Sequence, residues 1–539
     1  MKYIICLFVL VGFAASAQTI DIEKTFEVSK EAQKGFIQDI NLDKEKQNIN
    51  VLYRVRAKKD QMKFLNYKFD YNFNLVDQSE ELVNLKDMTS HKYKPARYKG
   101  EEYEVVGLSV EPNMMGTLVL KKKRTKFSFN WFQLRYTLNT TVEGKLKATT
   151  DDDKKFFYWD HIEDNTDGTA MILAGEKAKI GSKGADAFAH MMNYHFLKFD
   201  VNLTKLADVT VNFEYPVSLV ATYGQPELDD EKKTDFIAVF AAHKAKRYVG
   251  PKIWGPDATE YTYVRVSYDG KLLDKITFNA PTSIWRIDEF LFGPDGEVFV
   301  FGPANDAKDD YFQSRLEYQD EKTKWPNFQL VKVQQGKVQF ATATSMEEMK
   351  AKLRNQPDGK KGDSYSGRRI KFSKSGVNPI TKELFVGGQN YGMIRNAKGQ
   401  VIGRGYEDMV LFHFDQQGKL MSQFVMNKSN KSTGLNEHNF EYSTDGKILY
   451  WTFFDNIDTK PVRELDVTIE KVLAMPKMAK INLVDGTFQK YSEYGNKENF
   501  AHYGGVLNYL RFTDSNQVNY LGENKKGSSL WFVRVSLDK

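Results

Sequence analysis

The chain has 539 residues, a formal charge of +6 and a sequence pI near 8.7. That balance is too weak to imply nucleic acid as a partner, and the length is several times the roughly 100–150 residues of one ordinary domain. The lone cysteine, Cys6, excludes disulfides, thiolate metal sites and a cysteine nucleophile from the rest of the chain.

The first predicted element is a secretory signal over residues 1–17. Lys2 precedes the apolar run Ile4–Phe13, and Ala15-Ser16-Ala17 supplies a small-residue cleavage site. Export to the periplasm or surface of a bacterium is therefore expected. No later segment is long and apolar enough to span a bilayer as a helix. TIDIEKTFEVSK, from Thr19, follows with the alternation of an edge strand. The first strand pair is expected near 35–42 and 50–57.

A repeat then runs to the C-terminus. FLNYKFDYNFNLV from Phe64, YHFLKFDVNLTKL from Tyr194, YVRVSYDGKLLDKI from Tyr263, MVLFHFDQQGKLM from Met409 and AKINLVDGTFQKY from Ala479 share one design. Each is an alternating strand, an Asp-led turn and a second strand. LWFVRVSLDK from Leu530 is a half copy. WFQLRYTLNTTVEGKL from Trp131 and FQLVKVQQGKVQF from Phe328 are degenerate copies. With Asp70, Asn139, Asp200, Asp269, Gln335, Asp415, Asp485 and Asp538 as markers, the mean period is about 67 residues. A second hairpin lies between copies, as in IDEFLFGPDGEVFVFGP from Ile287 and HNFEYSTDGKILYWTFF from His438. Two hairpins per period make four strands, the content of a propeller blade.

The segments FGPDGEVFVFG and STDGKILYWT resemble the WD40-like, TolB-type (PD40-like) propeller repeat. That resemblance implies a propeller with partner-binding faces. The expected fold class is all-β: a β-propeller of eight four-stranded blades, with seven as the runner-up. Residues 18–539 form one domain, and the N-terminal strand 19–28 pairs with 529–537 to close the ring. Insertions are expected near 178–191 (with a short helix around 185–191), 244–260, 345–369 and 456–478. Ser345-Met346-Glu347-Glu348 is a capping box that predicts a helix over 346–354. The following NQPDGKKGDSYSGRR reads as a polar, flexible loop.

Motifs for chemistry are incomplete. His190 and His195 are five apart and read as structural histidines, and HExxH is absent. EDNTDG at Glu163–Gly168 resembles half a calcium loop, but Ala174 stands where the bidentate Glu belongs, so a hairpin turn is expected. GDSYSG at Gly362–Gly367 has Ser366 where GxSxG requires glycine. The repeats leave no room for an appended hydrolase domain, and Asp boxes are absent. VGGQNYGMIRNAKGQ from Val386 lacks GK[ST] and reads as a bulged hairpin. No cofactor or metal is expected.

Two basic clusters remain: Lys121, Lys122, Lys123, Arg124 and Lys126, and then Lys244, Lys246 and Arg247. As structure they are solvated strand edges, where lysine blunts pairing; as function they are contacts to an anionic envelope partner. Trp254, in a polar loop, is either a partner contact or a loop anchor. The expected function is a non-catalytic envelope scaffold, docking on other envelope proteins, including an outer-membrane complex such as a secretion translocon. The alternative is a propeller enzyme or glycan-binding protein with its site at the mouth of the central channel.

Overall fold

The computed structural model describes residues 19–43, 45–58, 61–84, 97–99, 102–112, 118–130, 135–149, 156–164, 168–176, 191–224, 235–242, 259–306, 323–357, 361–428, 435–436, 438–464, 467–495, 502–503, 509–510, 516–524 and 526–537. These are almost entirely strands, arranged in eight antiparallel sheets of β-propeller type. Residues 1–17 and most of the insertions 178–191 and 244–260, including the expected helix around 185–191, lie outside the described residues.

The repeated turns explain why each strand stops where it does. Asp70 Oδ1 accepts from the backbone N–H groups of Asn72 and Asn74 at 2.9 and 2.8 Å. Asp200 does the same for Asn202 and Thr204, and Asp415 for Gln417 and Lys419. The aspartate replaces the ladder bonds that the turn interrupts. Each turn also needs one residue at positive φ. Gly418 supplies it at 78°, while Phe73 and Leu203 take 59° and 68° without that freedom. Packing holds Phe73 there, since its ring stacks on Phe532 at 5.1 Å. The second hairpins turn at Gly296 and Gly446, with φ of 78° and 72°.

Alternation along the strands gives each sheet two apolar faces. Seven apolar clusters use those faces, each joining two sheets. They join the second to the third, and so on in order to the eighth. The remaining one joins the eighth to the first, through Leu530 and Phe532 against Tyr67 and Phe69. Among the described residues no such cluster joins the first sheet to the second. The strand Thr19–Glu27 lies in the eighth sheet, antiparallel to Ser529–Ser536, from Thr19 opposite Ser536 to Glu27 opposite Ser529. Trp531 Nε1 donates to Glu23 Oε1 at 2.8 Å across that pairing.

Several expectations are corrected. Asn139 marks no turn: Arg135–Lys147 is one strand, with Asn139 opposite Lys126. Its neighbours Thr137, Thr140, Thr141 and Val142 are β-branched and favour continued extension. Residues 456–478 are not an excursion, because Ile448–Glu464 and Val467–Asn482 form one long hairpin paired out to Glu464 and Val467. The capping box works, with Ser345 Oγ accepting from Glu348 N at 3.1 Å, but the helix is only Met346–Ala351. Leu353–Asn355 leaves it to pair in parallel with Leu420–Met426. Among the described residues of the following loop, Gln356 and Tyr365 are buried, and Tyr365 N donates to Gln423 Oε1 at 2.9 Å.

Candidate functional site

In a propeller the first strand of each blade lines the axis. Four first strands carry a β-bulge near their start, between Ile37 and Asp39, Tyr158 and Asp160, Leu219 and Ala221, and Phe372 and Lys374. Bulges re-aim side chains. In the fifth sheet the first strand is broken instead: Ile284–Trp285 and Glu289–Phe292 both pair with Val298–Asn305.

The break holds a partly exposed ion pair. Arg286 grips Asp288 through two hydrogen bonds of 2.8 Å, from Nε and from the guanidinium terminus. The guanidinium lies 5.6 Å from the centre of the Trp325 ring. Burial raises the Asp288 carboxyl above its ordinary range, against the pull of Arg286. Burial also raises Glu289, with Lys371 opposing and Asp288 adding to the rise. Gly302 makes the break possible, since an added Cβ there would stand 2.0 Å from the Arg286 carbonyl oxygen and 2.9 Å from Asp288 N. Gly302→Ala should therefore cost about 1–3 kcal/mol of stability and displace the Arg286–Asp288 pair, a change that thermal melting and proton-exchange spectra of this strand would register; an unchanged melt would mean the wall yields freely.

Beside this pair a cavity of about 620 Å³ opens over the sixth sheet. Its lining comes from the helix (Glu347, Lys350), from the 363–369 loop (Asp363, Tyr365, Arg368, Arg369) and from the sixth-sheet hairpin (Asn390, Tyr391, Glu407). Tyr365 and Tyr391 link cavity and pair, because both lie close enough to Arg286 to interact with it electrostatically. That hairpin carries bulges at Gln389/Tyr391 and Ile394/Arg395, as its sequence suggested.

A polar brace lies behind Asp363. Asp408 accepts from Asp363 N at 3.3 Å and from Asn427 Nδ2 at 3.2 Å. Lys428 Nζ donates to Asn436 Oδ1 at 2.7 Å, and Gln389 and Asn436 exchange two bonds of 3.0 Å. Burial raises the Asp408 carboxyl and lowers the Lys428 amine to about 8. The brace ties the sixth sheet to the seventh.

The residues singled out from sequence lie elsewhere. Lys121 and Lys123 both pair with Glu111, Arg124 pairs with Glu143, and Lys122 Nζ donates to Asn202 Oδ1 at 3.0 Å. They sit with Lys126 on Leu118–Asn130, which is flanked by strands on both sides. The edge reading of this cluster is thus corrected: the strand lies inside its sheet, and Lys121, Lys123 and Arg124 are paired with neighbouring glutamates. Lys244, Lys246, Arg247 and Trp254 lie outside the described residues. His195 is buried, 2.8 Å from Asp208 and 2.9 Å from Glu176. Burial alone would lower its imidazole, but the two carboxylates outweigh that and leave it raised. His190 lies outside the described residues, and among those described no three His, Cys, Asp or Glu side chains converge as a metal site.

Sequence reasoning missed Arg286, Asp288, Glu289 and the 363–369 loop. A signal was present: charged residues in WRIDEF interrupt a strand otherwise read as apolar, and GDSYSG was weighed only against a nucleophile motif.

No protein-family profile and no curated protein matches the chain. Among solved structures it aligns with a cobalt-substituted Synechocystis apocarotenoid oxygenase at 10% identity, over 89% of this chain and 95% of that one, with a TM-score of 0.26. A Pseudomonas brassicacearum lignostilbene dioxygenase aligns at 9% identity over 88% and 92%, with a TM-score of 0.28. A protein from Lactobacillus plantarum aligns at 12% identity over 73% and 96%, with a TM-score of 0.26. At such scores neither reaction nor substrate carries over to this chain. The expectation of a non-catalytic scaffold is corrected by the site itself: the short helix, the 363–369 loop and the sixth-sheet hairpin gather Glu347, Lys350, Asp363, Arg369 and Glu407 around one cavity, which a passive docking face does not require.

Proposed function

We propose that this chain is a propeller enzyme using acid–base chemistry on a small, hydroxyl-rich, sugar-like molecule held in the cavity over the sixth sheet. One observation carries the reading. Asp288 and Glu289, at the break in the fifth sheet's first strand, are both raised by burial, and Asp288 acts electrostatically on Tyr365 in the wall of that cavity. Carboxyls perturbed by burial and by a specific charged partner beside a cleft are candidates for acid–base work. Glu289 acts as the proton donor, and Arg286 orients Asp288. Tyr391 offers a ring face to a sugar, and Asn390 and Asp363 offer hydrogen bonds to hydroxyls.

The finer architecture belongs to the same reading. The eight sheets are eight blades of one ring, the strand Thr19–Glu27 closes it, and the repeat is of the WD40-like kind. Residues 1–17 direct export, so the substrate is met outside the cytoplasm. The pairing with Ser529–Ser536 and the cluster joining eighth and first sheets support closure.

Turnover of a panel of soluble oligosaccharides and aryl glycosides tests the assignment. At least one should be cleaved, and Glu289→Gln should lower kcat by about 10²–10⁴-fold. Because the donor must be protonated, the rate should fall as pH rises through the elevated pKa of Glu289. No cleavage of any member, or an unaffected Glu289→Gln variant, would refute it.

A further inference from the structure

Two strands of the sixth sheet outrun the rest of it. Ile370–Val377 pairs with Leu384–Arg395 only as far as Ile370 opposite Asn390, and Leu420–Met426 pairs with Val401–Phe414 only as far as Met426 opposite Met409. Beyond those points residues 391–406 form a ribbon of two strands, from Tyr391 opposite Tyr406 to Arg395 opposite Val401, closed by the turn Asn396–Gln400. A two-stranded ribbon is marginally stable without a third strand or a packed face. Among the described residues, no side chain of this ribbon belongs to any of the seven apolar clusters. Val401 and Ile402 are 46% and 65% exposed.

The base of the ribbon is suited to bending. The bulge between Gln389 and Tyr391 interrupts the ladder there, and just beyond it Gly392 lies opposite Gly405. Glycine weakens a strand interior, and where it occurs it marks a bend or a close approach. No close approach explains Gly405, since a Cβ there would meet the Ile394 side chain at 3.4 Å, an ordinary contact. Gly403, opposite Ile394, has nothing within 4 Å. Below the bulge, by contrast, Gln389 is fully buried and bonded to Asn436 at 3.0 Å. The glycine pair therefore sits between a fixed sheet and an unsupported ribbon.

The ribbon stands at the cavity. Tyr391 and Gly392 at its base line one side, with Asn390 and Glu407, and Met346, Glu347 and Lys350 of the helix line another. Tyr391 N donates to Arg369 O at 2.9 Å, which joins the ribbon's base to the 363–369 loop. At about 3.3 Å per residue, the strand from Tyr391 to Arg395 reaches roughly 15 Å, enough to lie across a cavity of about 620 Å³. We propose that residues 391–406 are a flap that swings on Gly392 and Gly405 and closes over the cavity toward the helix. Closure covers the exposed Val401 and Ile402 and shuts bulk water out of the cavity. The flap rests on the cavity being the ligand site, as argued above, but its motion requires no particular sugar.

Hydrogen–deuterium exchange and carbodiimide coupling of the full, ligand-free chain test the flap. Hydrogen-bonded amides within 392–395 and 401–405 should exchange at least about a hundred-fold faster than those within 384–389 and 409–414 of the same two strands. Lys398, exposed in the turn, should couple to Glu347 on the helix, a zero-length amide link that requires the turn to meet the helix. Gly405→Ala should slow ribbon exchange and lower the yield of that link about two- to five-fold, because alanine restricts the backbone. Its melting temperature should hold, since the added Cβ has room. A glycine without a hinge role would leave exchange and link unchanged. Ribbon amides that exchange as slowly as the sheet's, no link between Lys398 and Glu347, or a Gly405→Ala variant that alters neither readout would each overturn the flap. The two readings fail separately. A working flap with no glycoside turned over leaves the hinge standing and removes the acid–base role of Glu289. Turnover by a chain whose ribbon is rigid does the reverse.

Discussion

A chain that begins at Val28 should aggregate, or melt at least about 10 °C below the chain that retains Thr19–Glu27. The strand it lacks is the outer partner of Ser529–Ser536. Without it, a largely apolar strand (Leu530, Trp531, Phe532, Val533 and Val535, with Arg534 between) faces solvent along one edge. Such edges recruit other chains. The packing loss adds to this. Phe26 meets Tyr67 and Phe69 edge-on at 5.6 and 5.2 Å, and Ile22 packs on the same cluster. Ile22 and Phe26 are partly buried, so at about 1.5–3 kcal/mol for a fully buried side chain they contribute roughly 2–4 kcal/mol before the backbone bonds are counted. Phe26→Ala alone should cost about 2–4 kcal/mol, whereas Ile20→Ser, at a side chain 48% exposed, should cost little. Light scattering and thermal melting read both. A truncated chain that stays monomeric and melts with its parent would mean that the two termini do not stabilise each other.

The second large effect is expected at Asp455. It is fully buried, and Lys477 Nζ stands 2.8 Å from its carboxylate with a side chain only 4% exposed. The two lie on the long hairpin of the seventh sheet, where Lys477 is opposite Phe453 and Asp455 is opposite Met475. Burial alone would push the lysine amine down, but Asp455 outweighs it and keeps the amine above its ordinary value, hence charged. Asp455→Ala should destabilise by about 3 kcal/mol, because it leaves the buried cation only the half-exposed Glu493 as a partner. Removing both charges, as in Asp455→Leu with Lys477→Met, should restore most of that loss. Glu493, also 2.8 Å from Lys477 but 42% exposed, should matter far less, about 1 kcal/mol or under on substitution to alanine. Chemical denaturation of the four proteins measures the coupling. If Asp455→Ala proved no worse than Glu493→Ala, the buried pair would not be what holds this hairpin.

The hairpins were legible because their causes are local. An Asp that accepts from the second and fourth following N–H groups, with a positive-φ residue near the end, needs only five residues, as at Asp415–Lys419. The same locality produced the error at Asn139. Asparagine favours turns in isolation, but its threonine-rich neighbours and the pairing with Leu118–Asn130 decide for extension. The long hairpin at 448–482 was read as an excursion because its outer half exceeds the expected blade, and nothing in a strand's alternation states its length. The candidate site was illegible for another reason. Its walls come from residues 346–350, 363–369, 390–392 and 407, together with Arg286 and Asp288 one sheet away. No spacing in the chain encodes that convergence.

The sequence by itself determined strand alternation, the Asp-led turns, the repeat and hence an all-β chain of stacked hairpins, because these follow from φ preferences and from a side-chain period of two. Only the tertiary structure decided which sheet faces meet, that Leu118–Asn130 runs in the interior of its sheet, and that the ribbon 391–406 outruns its sheet beside a cavity. Burial, and the pKa shifts it drives at Asp288 and Glu289, depend on atoms distant in the chain, and that information exists only once the sheets have packed.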